Sequence, residues 1–271
     1  MQANLRFSAA LFTALLLLGG NRANAQTAEG RSAAQWKENN ALLVRASNLY
    51  YSYAREGLAG FDCNAQPDWG MATDGDGQRL ALLNKARMRL HARFGDGDFT
   101  LQWTAPPNAP DSAGSLQRMH DLMDHVLTGF LEYWSPFIDD LAIPADADGV
   151  EIQKRNEGYQ ILFGDGPTRV VEKFDATLRI LSYEVSGADG KALLTPSYEA
   201  TPKGLLVNHF EVHMPPPNGA DGQEETMLVD VDYQLVEGFE LPSQLRMDLF
   251  GGAKLNVLLN GCAVVKEKDV E

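Results

Sequence analysis

The chain has 271 residues, Lys and Arg number 23 against 37 Asp and Glu, and the formal net charge is −14 at neutral pH. A surface this acidic is repelled by nucleic-acid phosphates and anionic headgroups, which excludes nucleic-acid binding and purely electrostatic membrane docking; any lipid contact has to be apolar. The length suits one large domain or two small ones, enough to bury a core without many disulfides.

The first residues, "MQANLRFSAALFTALLLLGGNRANAQ", read as a secretory signal peptide. Arg6 supplies a short positive region, Phe7 to Gly20 an apolar run, and Ala23, Asn24 and Ala25 the small residues of a cleavage site. A spanning helix needs about 20 consecutive apolar residues, more than this run provides. Cleavage after Ala25 leaves residues 26–271 as a single domain with no integral membrane span. Because the removed piece carries Arg6 and Arg22 and no acid, the mature charge is −16. The expected location is the periplasm or the extracellular space.

Next, "SAAQWKENNALLVRASNLYYSYAREGL" reads as one long helix from Ser32 to Leu58, with Ser32 as its cap and apolar residues from Trp36 through Leu43, Ala46 and Leu49 to Tyr53 at spacings of three and four. "GFDCNAQPDWG" (Gly60 to Gly70) reads as the turn that follows it. Gln78 to Arg93 has helical composition, and "DFTLQWTAPP" reads as a strand stopped by prolines. The most regular helix comes after it, with Leu116, Met119, Met123, Val126, Phe130 and Trp134 forming one apolar stripe and Pro136 ending or kinking it. This helical front covers about residues 32–145.

From about Val150 to residue 266 the period changes to two, with turn signals between segments. In "MLVDVDYQLV", Met227, Val229, Val231, Tyr233 and Leu235 face one way and Asp230, Asp232 and Gln234 the other. Connections such as "GADG" and "EG" are too short for crossover helices, so the strands should be antiparallel neighbours. "MPPPNGADGQEET", Met214 to Thr226, is the clearest loop. Striped helices and a sheet with one dry face each need a partner, so the expected fold class is α+β, with helices packed on a curved antiparallel sheet.

Candidate chemistry is sparse. On a strand, His209, Glu211 and His213 share one face and could offer two imidazoles and a carboxylate to a cation; the alternative is the polar side of a half-buried strand, since same-face residues lie about 7 Å apart. His120 and Asp124 sit one helical turn apart. "DGDG" (Asp74 to Gly77) resembles the start of a calcium loop, but the twelfth position is Lys85. No G-x-S-x-G, H-E-x-x-H, C-x-x-C or nucleotide-binding fingerprint is present, so no cofactor and no catalytic residue is assigned. The two cysteines, Cys63 and Cys262, would be bridged in an oxidising compartment; two separately buried thiols are the alternative.

The run from Tyr159 to Val265, notably "KFDATLRILSYEV" and "VDVDYQLVEGFELPSQLRM" with its Gly238, Phe239, Glu240, Leu241, Pro242 turn, resembles the LolA-like lipoprotein-carrier superfamily. That resemblance implies an unclosed half-barrel whose concave face is covered by helices, and a non-catalytic protein holding a lipid or other apolar small molecule. Met119, Met123, Phe130 and Trp134 would then line the ligand. Two other functions stay open: an envelope-protein interaction or scaffold module working through exposed loops such as "HMPPPNGADGQEE" (His213 to Glu225), and a metal-dependent enzyme centred on His209, Glu211 and His213.

Overall fold

The computed structural model describes residues 32–71, 77–95, 97–104, 115–139, 142–164, 166–188, 190–216, 224–249 and 252–267. The signal segment, Asp74 to Asp76 of the "DGDG" turn, the side chain of Leu116 and most of the Met214 to Thr226 loop lie outside the described residues.

Helix α1 (Ala33–Ser47) starts where expected, with the Ser32 hydroxyl accepting from the Gln35 amide at 3.2 Å, and it buries Leu42, Leu43 and Ala46. It does not continue to Leu58. The chain leaves the helix at Asn48, Tyr50 forms a parallel bridge with Leu205, and the Tyr51 amide donates to the Leu205 carbonyl at 2.8 Å. One further turn, α2 (Tyr53–Glu56), is capped by Ser52 and ended by Gly57 in the left-handed region. Helical spacing is real in this stretch, but the aromatic run gains more from the sheet end. The Tyr50 hydroxyl donates to the Leu178 carbonyl at 3.0 Å, and the Tyr51 hydroxyl accepts from the Glu240 amide at 3.1 Å.

The front half also supplies three strands, two more than the sequence reading. β1 (Leu58–Pro67) occupies the stretch read as a turn; β2 (Arg87–Arg93) follows a short helix α3 (Gly77–Leu83), and β3 is Asp98–Thr104. In "RMRLHAR" Met88, Leu90 and Ala92 are buried in alternation, a period of two masked by helix-forming arginines. Helix α4 (Ser115–Trp134) then runs for 20 residues, about 30 Å, before Pro136 turns it into a short 3-10 segment.

The rest is a meander: β4 (Glu151–Arg155), β5 (Gly158–Phe163), β6 (Arg169–Asp175), β7 (Ile180–Gly187), β8 (Gly190–Thr201), β9 (Gly204–Met214), β10 (Glu225–Val236), β11 (Phe239–Asp248) and β12 (Lys254–Lys266). All twelve strands form one sheet in the order β3-β2-β1-β12-β11-β10-β9-β8-β7-β6-β5-β4, and every neighbouring pair is antiparallel. The N-terminal ribbon thus docks on the last strand. The sheet does not close, leaving β3 and β4 as its two edges.

Helix α4 and its tail touch widely separated strands. Phe130 stacks on Phe210 of β9, Trp134 meets Phe61 of β1, His120 meets Trp103 of β3, and Phe137 meets Tyr183 of β7. One helix can reach strands so far apart in the order only if the sheet curls around it. The fold is an α+β unclosed half-barrel with its core on the concave side.

Candidate functional site

Cys63 and Cys262 form a disulfide. The bond lies between neighbouring strands, not between the helical front and the last strand as a turn position for Cys63 would imply. Asp62 pairs with Ala263 and Asn64 with Asn260, so Gly261 and Cys262 are a bulge of β12 opposite Cys63. Gly261 takes φ +56, and a side chain there would run into Asn64. Cys63 is fully buried, and Gln234 donates to the Cys262 sulfur at 3.4 Å.

Met119, Met123, Phe130 and Trp134 all lie on the buried face of α4. Phe130 and Trp134 stack at 5.4 Å, and the Trp134 Nε1–H donates to the Tyr233 hydroxyl at 2.9 Å, which in turn donates to the Val207 carbonyl. The four residues therefore belong to the packed core on the sheet side of α4. Surface cavities among the described residues open elsewhere. One of about 500 Å³ is bounded by Gln66, Asp68, Trp69, Asn84, Gln244 and Asn256, and one of about 440 Å³ by Glu199, His209, Asp230, Asp232, Glu240 and Arg246. None of the four lines either.

His209, Glu211 and His213 share the polar face of β9, where neighbouring carboxylates pair with the rings. His209 Nδ1 is 2.8 Å from Asp230 Oδ1; His213 Nε2 is 3.1 Å from Glu211 Oε2, and His213 Nδ1 is 3.1 Å from Glu224 Oε1. Among the described residues no group of three or more His, Cys, Asp or Glu is arranged to hold a metal ion. His120 is paired to Asp121 at 3.2 Å, while Thr128 bonds the Asp124 carbonyl.

Sequence reasoning missed two polar clusters. On the outer face, Asp62 accepts from Arg93 and His91, each at 2.8 Å; burial would raise its carboxyl, but those two hydrogen bonds outweigh it and hold the group below its ordinary value.

The second cluster is inside. Glu172 of β6 projects into the core between Val170 and Phe174, is wholly buried, and has no hydrogen-bond partner for either carboxylate oxygen. Its strand partner is Tyr183 of β7. The hydroxyl of half-buried Tyr198 on β8 is also shielded from solvent, and its ring packs edge-on against Tyr50 at 5.2 Å. Tyr50 spends its own hydroxyl on the β6–β7 turn, donating to Leu178 and accepting from the Ile180 amide at 2.6 Å. Burial pushes Glu172 well above the ordinary carboxyl range. Burial first, with the Glu172 carboxyl adding to it, raises Tyr183, Tyr198 and Tyr50. Glu132 on α4 is a milder case, pushed by burial up to about 8. The sequence signal for Glu172 was its register: in "VVEKF" the alternation puts it in line with Val170 and Phe174.

Among the described residues no helix is long and apolar enough to cross a membrane. No family model matches the chain, and neither the curated proteins nor the solved structures contain a match to it, so its function has to be argued from this geometry alone.

Proposed function

We propose that the protein is an exported, non-catalytic binder that holds a lipid or other apolar molecule between the concave face of its sheet and α4, in the manner of LolA-like half-barrel carriers. The observation that carries this reading is the lid: one 20-residue helix lying along the apolar face of a sheet that stops at two edges. A closed barrel would fix its interior volume, whereas an unclosed sheet and a helix can separate without breaking a strand pair. Met119 and Met123 give the lid side chains that repack at low cost around guests of different shape. The Cys63–Cys262 bond suits an oxidising compartment and hence export.

Native mass spectrometry of protein purified from its own cells, with lipid extraction of the same sample, tests the reading. A co-purifying apolar molecule, or saturable uptake of a fluorescent fatty acid by stripped protein, is the expected result. A ligand-free preparation that also ignores the fluorescent fatty acid would refute it.

A further inference from the structure

A carboxyl with no partner in an apolar core is costly, because desolvation of a polar group goes uncompensated. Leucine at position 172 would satisfy the strand pattern of Val170 and Phe174 without that cost, so the fold itself gives no reason for an acid there. What surrounds Glu172 is a specific chemistry. Tyr183 lies opposite it across the β6–β7 ladder, and Tyr50 and Tyr198, in edge contact with each other, are near enough to feel its charge. Tyrosine rings close to a carboxylate are a combination that can stabilise an organic cation removed from water, through cation–π attraction and ion pairing together. The Tyr198 hydroxyl, shielded from solvent like the Glu172 oxygens, is a candidate donor to the carboxylate once it is charged.

We propose that Glu172, with Tyr183, Tyr198 and Tyr50, receives the primary-ammonium head of an amphiphile whose apolar body lies along the concave face. This rests on the carrier reading and names the ligand's polar end. In the empty protein burial favours the protonated form of Glu172. When an alkylammonium enters, that proton leaves to solvent and the carboxylate pairs with the ammonium N–H groups, so one proton is released per ligand bound. The other charged groups bearing on the cluster are Asp175, the last residue of β6, and Arg179 in the turn after it; they act in opposite senses on Tyr50. Glu172 is therefore the only buried carboxyl available to take the cation's charge among the groups that bear on the cluster.

Access is through the β6–β7 turn. Leu178 there has φ +68, a left-handed conformation unfavourable for a branched side chain, and its carbonyl is held by the Tyr50 hydroxyl. On this proposal the opening step is release of the two hydrogen bonds by which the Tyr50 hydroxyl holds the turn that follows β6.

The test compares dodecylamine, dodecanol and dodecanoic acid, each below its micelle concentration, by displacement of a fluorescent fatty probe at physiological salt, so that loose pairing with the acidic surface is screened. Wild type should bind the amine at one saturable site about tenfold to a hundredfold more tightly than the alcohol, the worth of one charge-assisted hydrogen bond. Glu172→Gln should bring the amine's affinity down to that of the alcohol. Tyr50→Phe should speed association. Amine affinity should also rise by up to about tenfold per pH unit while Glu172 is still protonated in the empty protein. Calorimetry on wild type in buffers of different ionisation enthalpy reads the single released proton, and decides the matter if the Gln variant does not fold. Equal affinity for amine and alcohol, or amine binding without proton release, overturns this inference and leaves the carrier reading standing. Failure of all three ligands overturns both.

Discussion

Replacing both Cys63 and Cys262 with Ala should lower stability by about 5 kcal/mol. The two positions are 199 residues apart, and in the chain-entropy model closing a loop of that length removes about 18 cal/mol/K from the unfolded ensemble. The native state should change little, because the ladder on both sides of the bulge, from Gly60–Val265 to Pro67–Val257, keeps β1 on β12 without the bond. The effect thus acts through the unfolded chain, which has two signatures. In urea the midpoint should fall by about 2 M, taking a slope of 2–3 kcal/mol/M for a chain of this size, and the slope itself should rise as the reduced chain expands. Circular dichroism of the folded variant should overlay that of wild type. Since whole domains are stable by only about 5–15 kcal/mol, the bond is a large share of the total. A variant within about 1 kcal/mol of wild type, with the slope unchanged, would refute the reasoning, since the unfolded chain would then have been compact without the bridge.

Three further outcomes follow from packing and charge. Phe130→Ala, which removes a ring stacked between Trp134 and Phe210, should cost about 3–5 kcal/mol in chemical denaturation; less than 1 kcal/mol would mean the lid is not packed on β9. At Gly204, with φ +132, a Cβ would sit 2.7 Å from the Tyr50 backbone, so Gly204→Ala should cost more than about 2 kcal/mol, and a neutral result would place the Tyr50 bridge elsewhere. Glu132 and Glu172 hold their protons more tightly in the folded protein than in the unfolded chain. Their contribution is therefore complete below about pH 4.5, declines as the unfolded chain ionises, and for Glu132 is gone once pH passes about 8. Urea midpoints should fall from about pH 5 to about pH 8, and Glu132→Gln should flatten that slope, though partial exposure of Glu132 shallows its share. A midpoint that rises over this window would contradict both assignments.

How far the sequence could be read depended on where each segment finds its partner. The meander from β4 to β12 pairs with its own neighbours, so alternation and short turns were enough, and α4 announced itself through a stripe whose dry side was matched by that sheet. β1 is different. Its strand character comes from β2 on one side and from β12, about two hundred residues onward, on the other, while its own "DCNAQP" carries turn-forming residues. The break at Asn48 has the same origin, since the distant Leu178 and Leu205 carbonyls accept hydrogen bonds from Tyr50 and Tyr51 that a continuing helix would forgo. Pairing of the two cysteines could be inferred from compartment, but not their cross-strand placement. Glu172 was visible as an acid in an apolar register, yet only the folded sheet puts Tyr50, Tyr183 and Tyr198 around it.

The strand order also sets a timetable. Nine strands, β4 to β12, can pair as successive hairpins while the chain lengthens, each waiting only for its neighbour. The β1–β2–β3 ribbon is made first, and α4 can pack on its inner face soon after, but the free edge of β1 has no strand to pair with until Lys254–Lys266 exists. Docking the ribbon is thus the slow, non-local step of folding, and the interval before it is when the chain is most exposed to pairing with another copy of itself.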